Sequence, residues 1–439
     1  SLLVMVFELG YVGLMLLSST GLMESPFALL LLGLAVLLLS GQSRWGWTLL
    51  ALAIFTRYEM AVYAGLFGLA WLFTRRPWKQ KITEILYFLV PTVLFSAVTF
   101  GFYGTLIPNT VAAKQVVYRI AAKTTFERVF YTLFPKNTLP FLGIITGWQG
   151  LQEKVFTTLA KAWQPLMIAF SAIVLLIYPK KREWKQVDLY NLLLLAGGIL
   201  LAGLYVLEKV LIFEWYTPIF TIPVYFGVFH FLARLHVPAE GKSRRMSWQQ
   251  VIVSLFAVLI SLNPFANLGL NTYAALVDLS KSPQAATGMR VQRYLEVGKL
   301  LHELYPAARL MTSEIGGLGY AFGGEIVDGA GLITPAALAY HPMQVPEQRR
   351  NGRIGAIPAA FVYKQLPELV VSYEVFVQEF DTSDYQSAYT RIAIPAFSTY
   401  WQQQTGLDEV YMSDELYIYI RNDIANEDAI QAITASLNQ

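Results

Sequence analysis

Long apolar runs fill the first 268 residues of this chain and do not recur after them. The nine runs cover residues 2–17, 26–39, 47–55, 60–73, 82–102, 163–178, 189–207, 215–233 and 248–268. A helix crosses a bilayer with roughly 20 apolar residues, and with fewer inside a bundle. The chain is also only 14% charged, well below the share in soluble proteins. The sequence therefore predicts an α-helical polytopic membrane bundle at residues 1–268.

Basic residues indicate how the bundle is oriented. Short loops rich in Lys and Arg follow the fourth, sixth and eighth runs, and such loops favour the cytoplasmic side. The chain is then a multi-pass protein of the plasma (inner) membrane, and residues 269–439 are extracytoplasmic. Residues 103–162 form an external loop although they carry seven basic residues. Long loops weigh less in this rule, so the orientation stands.

The third and fourth runs are too short to span, and only the four residues TRYE separate them. This pattern predicts either a broken helix or a shallow hairpin. A broken helix at membrane depth needs protein or a wet cavity to cover its freed backbone groups.

Residues 269–439 read as a soluble α/β domain. A helix is predicted at residues 289–304, with Val291, Leu295, Leu301 and Leu304 near one face. Strands are predicted in ARLMTSE, GEIVDGAG, PELVVSYEVFV and ELYIYIRN, where β-branched and aromatic residues lie between turn formers. The GGLG run at residues 316–319 is interpreted as a turn or a tight helix entry.

Polar and aromatic residues collect at the predicted external ends of the helices. Ionisable groups at membrane depth are costly, and they usually face a cavity and serve a function. The sequence therefore predicts an external polar cavity in the bundle. Its candidate residues are Glu24, Arg57, Glu59, Tyr103, Asn109, Lys114, Trp215 and Tyr216.

Each candidate also has a structural interpretation. Glu24 can equally be interpreted as a helix cap before Pro26. Arg57 and Glu59 can equally be interpreted as a structural ion pair with each other. Taken alone, Trp215 and Tyr216 are more typical of an interfacial aromatic belt. Asn109 is equally well a turn former after a proline. The basic stretch that begins at Lys114 is also consistent with an amphipathic helix on the membrane surface.

Several classes of function are excluded or disfavoured by the sequence. The chain has no cysteine, so disulfides and thiolate metal sites are impossible. The net charge of +3 gives no support to nucleic-acid binding. Walker, GxSxG and HExxH motifs are absent, and the four histidines are scattered. No metal site is expected.

Four stretches occur in a distinctive order: STGLMESPFALLLL, ALAIFTRYEMAVYAGL, FYGTLIPNTVAAK and EWYTPIFTIPV. Their order resembles the type-C glycosyltransferases, in particular the arabinofuranosyltransferase-like branch. These integral membrane enzymes take sugar from a polyprenyl-phosphate carrier. The stretch SEIGGLGYAFGGEIVDGAGLITP is similar to a segment of their external domains.

The resemblance assigns roles to individual residues. Arg57 and Lys114 match positions expected to bind the donor phosphate, while Glu24 and Glu59 are expected to support catalysis. Asn109 matches the family's P-N-T motif and, like Tyr103, Trp215 and Tyr216, is expected to bind substrate. Tyr58 and Met60 depart from the family's proline and glycine.

The family's catalytic aspartate lies in a first external loop, and nothing in this sequence corresponds to that loop. The resemblance implies that this aspartate lies before Ser1, where an apolar run is already in progress. We therefore expect the chain to be a fragment, to receive this part from a further chain, or to be inactive.

The resemblance also implies substrates and partners. The expected donor is a polyprenyl-phosphate-linked sugar, among membrane lipids, and the acceptor is a glycan, a lipid or a protein. A non-catalytic membrane scaffold or inactive relative is the alternative. A transporter ranks last, because no repeat of matched broken helices is visible.

Overall fold

The computed structural model describes residues 24–107, 109–118, 129, 185–210, 212, 216, 218–236, 283–343, 356–395 and 415–437. Over these ranges the chain is mostly helical, with one small mixed sheet in its C-terminal region. The predicted membrane segments at residues 2–17, 163–178 and 248–268 lie outside the described residues.

The other six predicted segments are helices. Helices α1 to α7 cover Glu24–Ser40, Trp45–Thr56, Met60–Leu72, Trp78–Tyr103, Asn109–Val116, Gln186–Leu207 and Pro218–His236. Leucine and alanine, which favour helix strongly, dominate α1. Helix α4 ends where Gly104 adopts a left-handed conformation with φ +67°, a conformation that glycine adopts without steric penalty.

Two of the described helices are long and apolar enough to cross a membrane. They are α4, with 26 residues, and α6, with 22. In α4, large apolar side chains are exposed along the helix, Val93 and Leu94 by 62% and 61%, and only Glu84 is buried. Helices α1 to α3 are apolar but shorter. These lengths support association with a membrane, and the polytopic bundle stays a prediction.

The three residues between α2 and α3 connect the two helices as a hairpin, one of the two predicted alternatives. Arg57 is extended, with φ −148° and ψ 122°, and ends α2. Trp47, near the start of α2, packs edge-on against Trp71, near the end of α3, with ring centroids 5.9 Å apart. Since opposite ends of the two helices meet, α3 runs back along α2.

The remaining contacts give α6 and α7 their directions. Tyr190, early in α6, stacks on Phe67, late in α3, at 5.2 Å. Tyr205, late in α6, donates to the Glu59 carboxylate that precedes α3. Helix α6 is therefore antiparallel to α3. Tyr63 of α3 donates to the carbonyl of Ile219 at 2.6 Å, which places the start of α7 near the start of α3.

Close packing of α6 on α7 depends on a glycine. A Cβ at Gly198 would lie 2.6 Å from both the Phe220 carbonyl oxygen and Val224 Cγ2, whereas a Cβ at Gly203 would meet nothing within 4 Å. We expect Gly198→Ala to lower the free energy of unfolding by about 1–3 kcal/mol through overpacking. Gly203→Ala, on the same helix, is the matched control and should be neutral or stabilising by up to about 1 kcal/mol.

Thermal unfolding of both variants in detergent measures the difference. Equal melting temperatures for Gly198→Ala and Gly203→Ala would contradict the close approach of α6 and α7.

The C-terminal region contains the predicted sheet. Helices α8 to α12 cover Pro283–Leu304, Gly317–Phe322, Ala359–Gln365, Glu374–Asp381 and Glu427–Leu437. Strands β1 to β5 cover Leu310–Thr312, Ile326–Asp328, Leu369–Tyr373, Tyr389–Ile394 and Leu416–Arg421. The strand order is β2-β1-β3-β5-β4. Strand β1 is parallel to β2 and β3, and β5 is antiparallel to β3 and β4.

Both faces of the sheet are covered. One face packs with α8, α9 and α12 around residues such as Val297, Leu318 and Ile433. The other face packs with α10 and α11 around residues such as Phe361 and Phe380. Burial on both faces explains why β3 and β5 read as nearly continuous apolar runs rather than alternating ones.

Several local predictions for this region were wrong. The run that begins as β3 was predicted to stay extended through residue 377, but the chain turns helical at Glu374. Strand β4 was not predicted. In α8, the predicted face residue Leu301 is buried together with Tyr294 and Val297, and Leu304 packs against the same core, whereas Val291 is 42% exposed. The predicted face was therefore wrong at Val291.

The described residues divide into two compact units. The first unit contains the residues up to Leu106 together with α6 and α7, and the second contains the residues from Pro283 onward. Helix α5, in the predicted external loop, belongs to the second unit, as do Glu208, Lys209 and Val210. The predicted boundary between residues 268 and 269 lies outside the described residues.

Candidate functional site

Four parts of the first unit meet at the Arg57 guanidinium. The start of α1 supplies Glu24 and Ser25, and the hairpin supplies Arg57 and Glu59. The end of α6 supplies Tyr205, and residues just before α7 supply Tyr216, whose ring centre lies 4.8 Å from the guanidinium carbon. These residues are the Arg57 cluster. The alternating helix directions place these ends side by side.

The guanidinium is bound by protein groups at all three nitrogens. Arg57 Nε and Nη2 donate to the two carboxylate oxygens of Glu59 at 3.3 and 3.0 Å. Arg57 Nη1 donates to the Ser25 hydroxyl and lies 3.4 Å from Glu24 Oε1. The planar fork of arginine suits this two-point contact with a carboxylate.

The two carboxylates of the cluster differ in accessibility. The side chain of Arg57 is 2% exposed and that of Glu59 is 14% exposed, whereas Glu24 is 52% exposed. Glu59 Oε1 also accepts the Tyr205 hydroxyl at 2.6 Å. Two carboxylates against one guanidinium give a formal charge of −1. Glu24 is therefore the accessible carboxylate of the cluster. Arg57 and Glu59 beneath it are largely buried and hydrogen-bonded to protein groups.

The hairpin also contacts the stretch after α4. The Tyr58 hydroxyl donates to the carbonyl of Leu106 at 2.9 Å, so the TRYE and YGTLI stretches lie together. Tyr103 itself is 77% exposed at the end of α4, and no contact among the described residues joins it to the Arg57 cluster.

Two of the sequence-based predictions fall on residues outside the described ranges. The catalytic aspartate was predicted to lie before Ser1, and Ser1 itself lies outside the described residues. Trp215, a predicted substrate-binding residue, lies outside them as well. Both stay predictions, and the described part of the site is the Arg57 cluster.

Asn109 and Lys114 lie in the second unit, on α5. The Asn109 side-chain amide donates to the carbonyls of Gly331 and Leu332, the latter at 3.2 Å. Lys114 is half-buried one turn further along. Ala113 and Val117 of the same segment pack against Ala330. In this unit Asn109 therefore holds a protein loop, and its predicted role in substrate binding stays a prediction.

The loop that Asn109 contacts is organised by a buried carboxylate. Asp328 accepts hydrogen bonds from the backbone N–H groups of Ala330 and Ile333 at 2.8 and 2.9 Å. Its own N–H donates to the Thr334 hydroxyl. Burial raises the pKa of Asp328 above its ordinary value, and the backbone N–H groups oppose this rise.

His341 closes the same loop and gives it a pH dependence. Its Nε2 lies 3.1 Å from the Gly329 carbonyl. Burial lowers the pKa of His341, against the opposing effects of that carbonyl and the carboxylates of Asp328 and Glu379. As the pH falls, the unfolded state binds a proton at His341 before the folded state does. The neutral imidazole therefore stabilises the fold above pH 6.5. This stability is lost as pH falls from there through the folded pKa, by at most about 1.4 kcal/mol per pH unit.

We expect His341→Gln to flatten that part of the stability profile. The chain has no cysteine, so the buried Val297→Cys provides a single thiol whose labelling rate reports opening of the second unit. If the profile between pH 7 and 5 has the same slope with and without His341, this linkage is wrong.

Two residues of the cluster were not predicted from the sequence. Ser25 follows Glu24 directly and precedes Pro26, and this position at a helix start is the sequence signal that could have identified it. Tyr205 lies within an apolar helix and gives no local signal. Among the described residues, no group of three or more His, Asp or Glu side chains is placed to hold a metal ion.

Comparisons of the chain with protein-family models, with curated proteins and with solved structures find no match. Function is therefore argued from the geometry and chemistry of the site.

Proposed function

We propose that this protein is a membrane glycosyltransferase that moves a sugar from a polyprenyl-phosphate carrier to an extracytoplasmic glycan, lipid or protein. The observation that carries the proposal is the half-exposed Glu24 carboxylate, held beside the buried Arg57 guanidinium among apolar helices. Ionised groups in such surroundings are costly and usually mark a functional site. The order of the sequence motifs supplies the reaction class.

Glu24 is the residue that we assign to the sugar or the acceptor. A carboxylate accepts hydrogen bonds from sugar hydroxyls and serves as general base toward an attacking hydroxyl. In the reaction, that hydroxyl attacks the anomeric carbon, its proton passes to a carboxylate, and the polyprenyl phosphate leaves. Glu59 is less accessible and is assigned to holding Arg57.

Arg57 takes a different role from the one that its motif suggests. Its guanidinium already contacts Glu59, Ser25 and Glu24, so we assign it as a positioning residue for the two carboxylates. The role of Lys114 at the carrier phosphate stays a prediction from its sequence motif, since Lys114 belongs to the second unit.

Sugar transfer in membranes that contain the full gene product tests the proposal. Polyprenyl-phosphate donors with different labelled sugars are supplied, and label in glycan, lipid and protein fractions is counted. We expect Glu24→Gln to lower transfer by about 10²- to 10⁴-fold, the usual contribution of a general base. Glu296→Gln, an exposed residue of α8, is the matched control and should behave as wild type.

The two possible failures have different meanings. If wild-type membranes transfer no sugar from any donor, the proposed activity is overturned. If wild type and Glu24→Gln transfer sugar equally, the assignment of Glu24 is overturned while the activity stands.

A non-catalytic scaffold is the second candidate function. The observation that favours it is that every nitrogen of Arg57 contacts a protein group, as in a purely structural ion pair. A scaffold predicts that membranes with and without the protein transfer sugar equally, and that Arg57→Ala still destabilises the first unit.

A further inference from the structure

A cavity of about 240 Å³ lies at the opposite end of α3 from Arg57. Its walls come from the end of α3, the following turn and the start of α6. The lining residues include Ala70, Trp71, Thr74, Arg76, Gln186 and Tyr190. The cavity is several times larger than the volume of about 30 Å³ that one water occupies in the liquid, and it is large enough for a phosphate ester.

A buried carboxylate holds the cation in the cavity wall. Glu84 is 2% exposed, and it accepts hydrogen bonds from Arg76, from Trp71 Nε1 at 2.5 Å and from Gln80 Nε2 at 2.9 Å. Arg76 therefore lines the cavity from a position that is set before any ligand arrives. Such preorganisation reduces the entropic cost of binding.

The described surface around the cavity is cationic. Arg75, Lys79 and Lys185 are exposed. Among the described residues, the acids at this end of the unit are Glu84 and Asp188. They are 2% and 0% exposed, and both accept hydrogen bonds from protein groups. The accessible charge of the described residues near this cavity in the chain is therefore positive, which favours an anion.

The cavity lies where both candidate membrane spans begin. Helix α4 starts at Trp78, and α6 starts at Gln186 in the cavity wall. Trp78 and Phe73 are 70% and 81% exposed. Exposed aromatic residues at the end of an apolar span are typical of the membrane interface, the level of the lipid headgroups.

We propose that this cavity binds the phosphate headgroup of an anionic membrane lipid. Arg76 contacts the phosphate from the wall, and Arg75 and Lys79 attract it at the rim. Trp78 and Phe73 lie among the lipid chains at the interface. This site is distinct from the Arg57 cluster and does not depend on sugar transfer.

Lipid retention by the purified full chain tests the proposal. The protein in neutral detergent is titrated with phosphatidylglycerol or phosphatidylcholine, and bound lipid is counted by native mass spectrometry. We expect Arg75→Gln/Lys79→Gln to reduce the preference for phosphatidylglycerol on the order of thirtyfold, since each basic residue near an anionic lipid contributes about fivefold. Lys299→Gln/Lys364→Gln removes the same charge from exposed positions of the second unit and should change nothing.

A second variant separates the cavity from general surface charge. Ala70→Phe fills the cavity and keeps every cation, and we expect it to abolish the preference as well. The proposal is overturned if wild type retains both lipids equally, or if Ala70→Phe keeps the full preference. It is also overturned if millimolar inorganic phosphate displaces the lipid completely, since the site would then be one for soluble phosphate.

Discussion

Replacing Arg57 by alanine is expected to lower the free energy of unfolding of the first unit by about 3–5 kcal/mol. The side chain is 2% exposed, and its removal leaves Glu59 without its two-point partner. Removing one member of a buried ion pair is costly because the other charge stays uncompensated. Arg57→Lys should lose less, because an ammonium keeps the charge but lacks the planar fork.

Glu24→Gln is the matched comparison within the same cluster. Because Glu24 is 52% exposed, water compensates for the lost contact, and we expect a change below about 1 kcal/mol. The buried Ala28→Cys in α1 provides a single thiol, and its labelling rate in each variant reports opening of the unit. If Arg57→Ala stays within about 1 kcal/mol of wild type, the ion pair does not stabilise the hairpin.

Phe380→Ala is expected to destabilise the second unit by a similar amount, about 3–5 kcal/mol. Phe380 is fully buried, and its ring packs edge-on against Tyr389 at 5.4 Å and Tyr419 at 5.0 Å. The substitution removes both aromatic contacts and leaves a cavity between α11 and the sheet.

Tyr363→Ala removes an aromatic ring from the same unit without opening the core. Tyr363 is 56% exposed and stacks on Tyr385 at 4.4 Å, so we expect a loss below about 1.5 kcal/mol. Thiol labelling of Val297→Cys measures both variants. Comparable losses for Phe380→Ala and Tyr363→Ala would contradict the core assignment.

The helices of the first unit were predictable because length and apolarity are local properties. The break between α2 and α3 was predictable because the polar stretch TRYE interrupts the apolar run there. Its geometry as a hairpin was not, since contacts between the far ends of the two helices, such as that of Trp47 with Trp71, are needed to distinguish a hairpin from an interrupted straight helix. Sequence also gives no sign of Tyr205, because its partner Glu59 is 146 residues away.

The errors in the second unit have tertiary causes. The apolar run PELVVSYEVFV suits a strand throughout, but after Tyr373 the Val375, Val377 and Phe380 side chains are buried from a helix instead. Val291 matches the helical period of Leu301, yet Tyr294 and Val297 are buried in its place and Val291 is exposed. Asn109 shows the same limit, since its partners Gly331 and Leu332 lie more than 200 residues away.

The opposite ends of the helical unit carry different chemistry. At one end an accessible carboxylate lies beside a buried guanidinium. At the other, a cavity is lined by Arg76, and the described acids Glu84 and Asp188 are buried. The second end suits an anionic headgroup. The two ends differ in the exposure of their acidic side chains, because Glu24 is accessible whereas Glu84 and Asp188 are buried.

The most direct test of the proposed sugar site is whether a bound sugar donor protects Glu24 from chemical modification. The full gene product is treated with a water-soluble carbodiimide and an amine nucleophile, and the modified fraction of Glu24 is measured by peptide mass spectrometry. We predict that Glu24 is modified readily, that the more buried Glu59 and Glu84 are modified slowly, and that a polyprenyl-phosphate sugar protects Glu24 selectively. Modification of Glu24 at the same rate with and without every donor would contradict the proposed site.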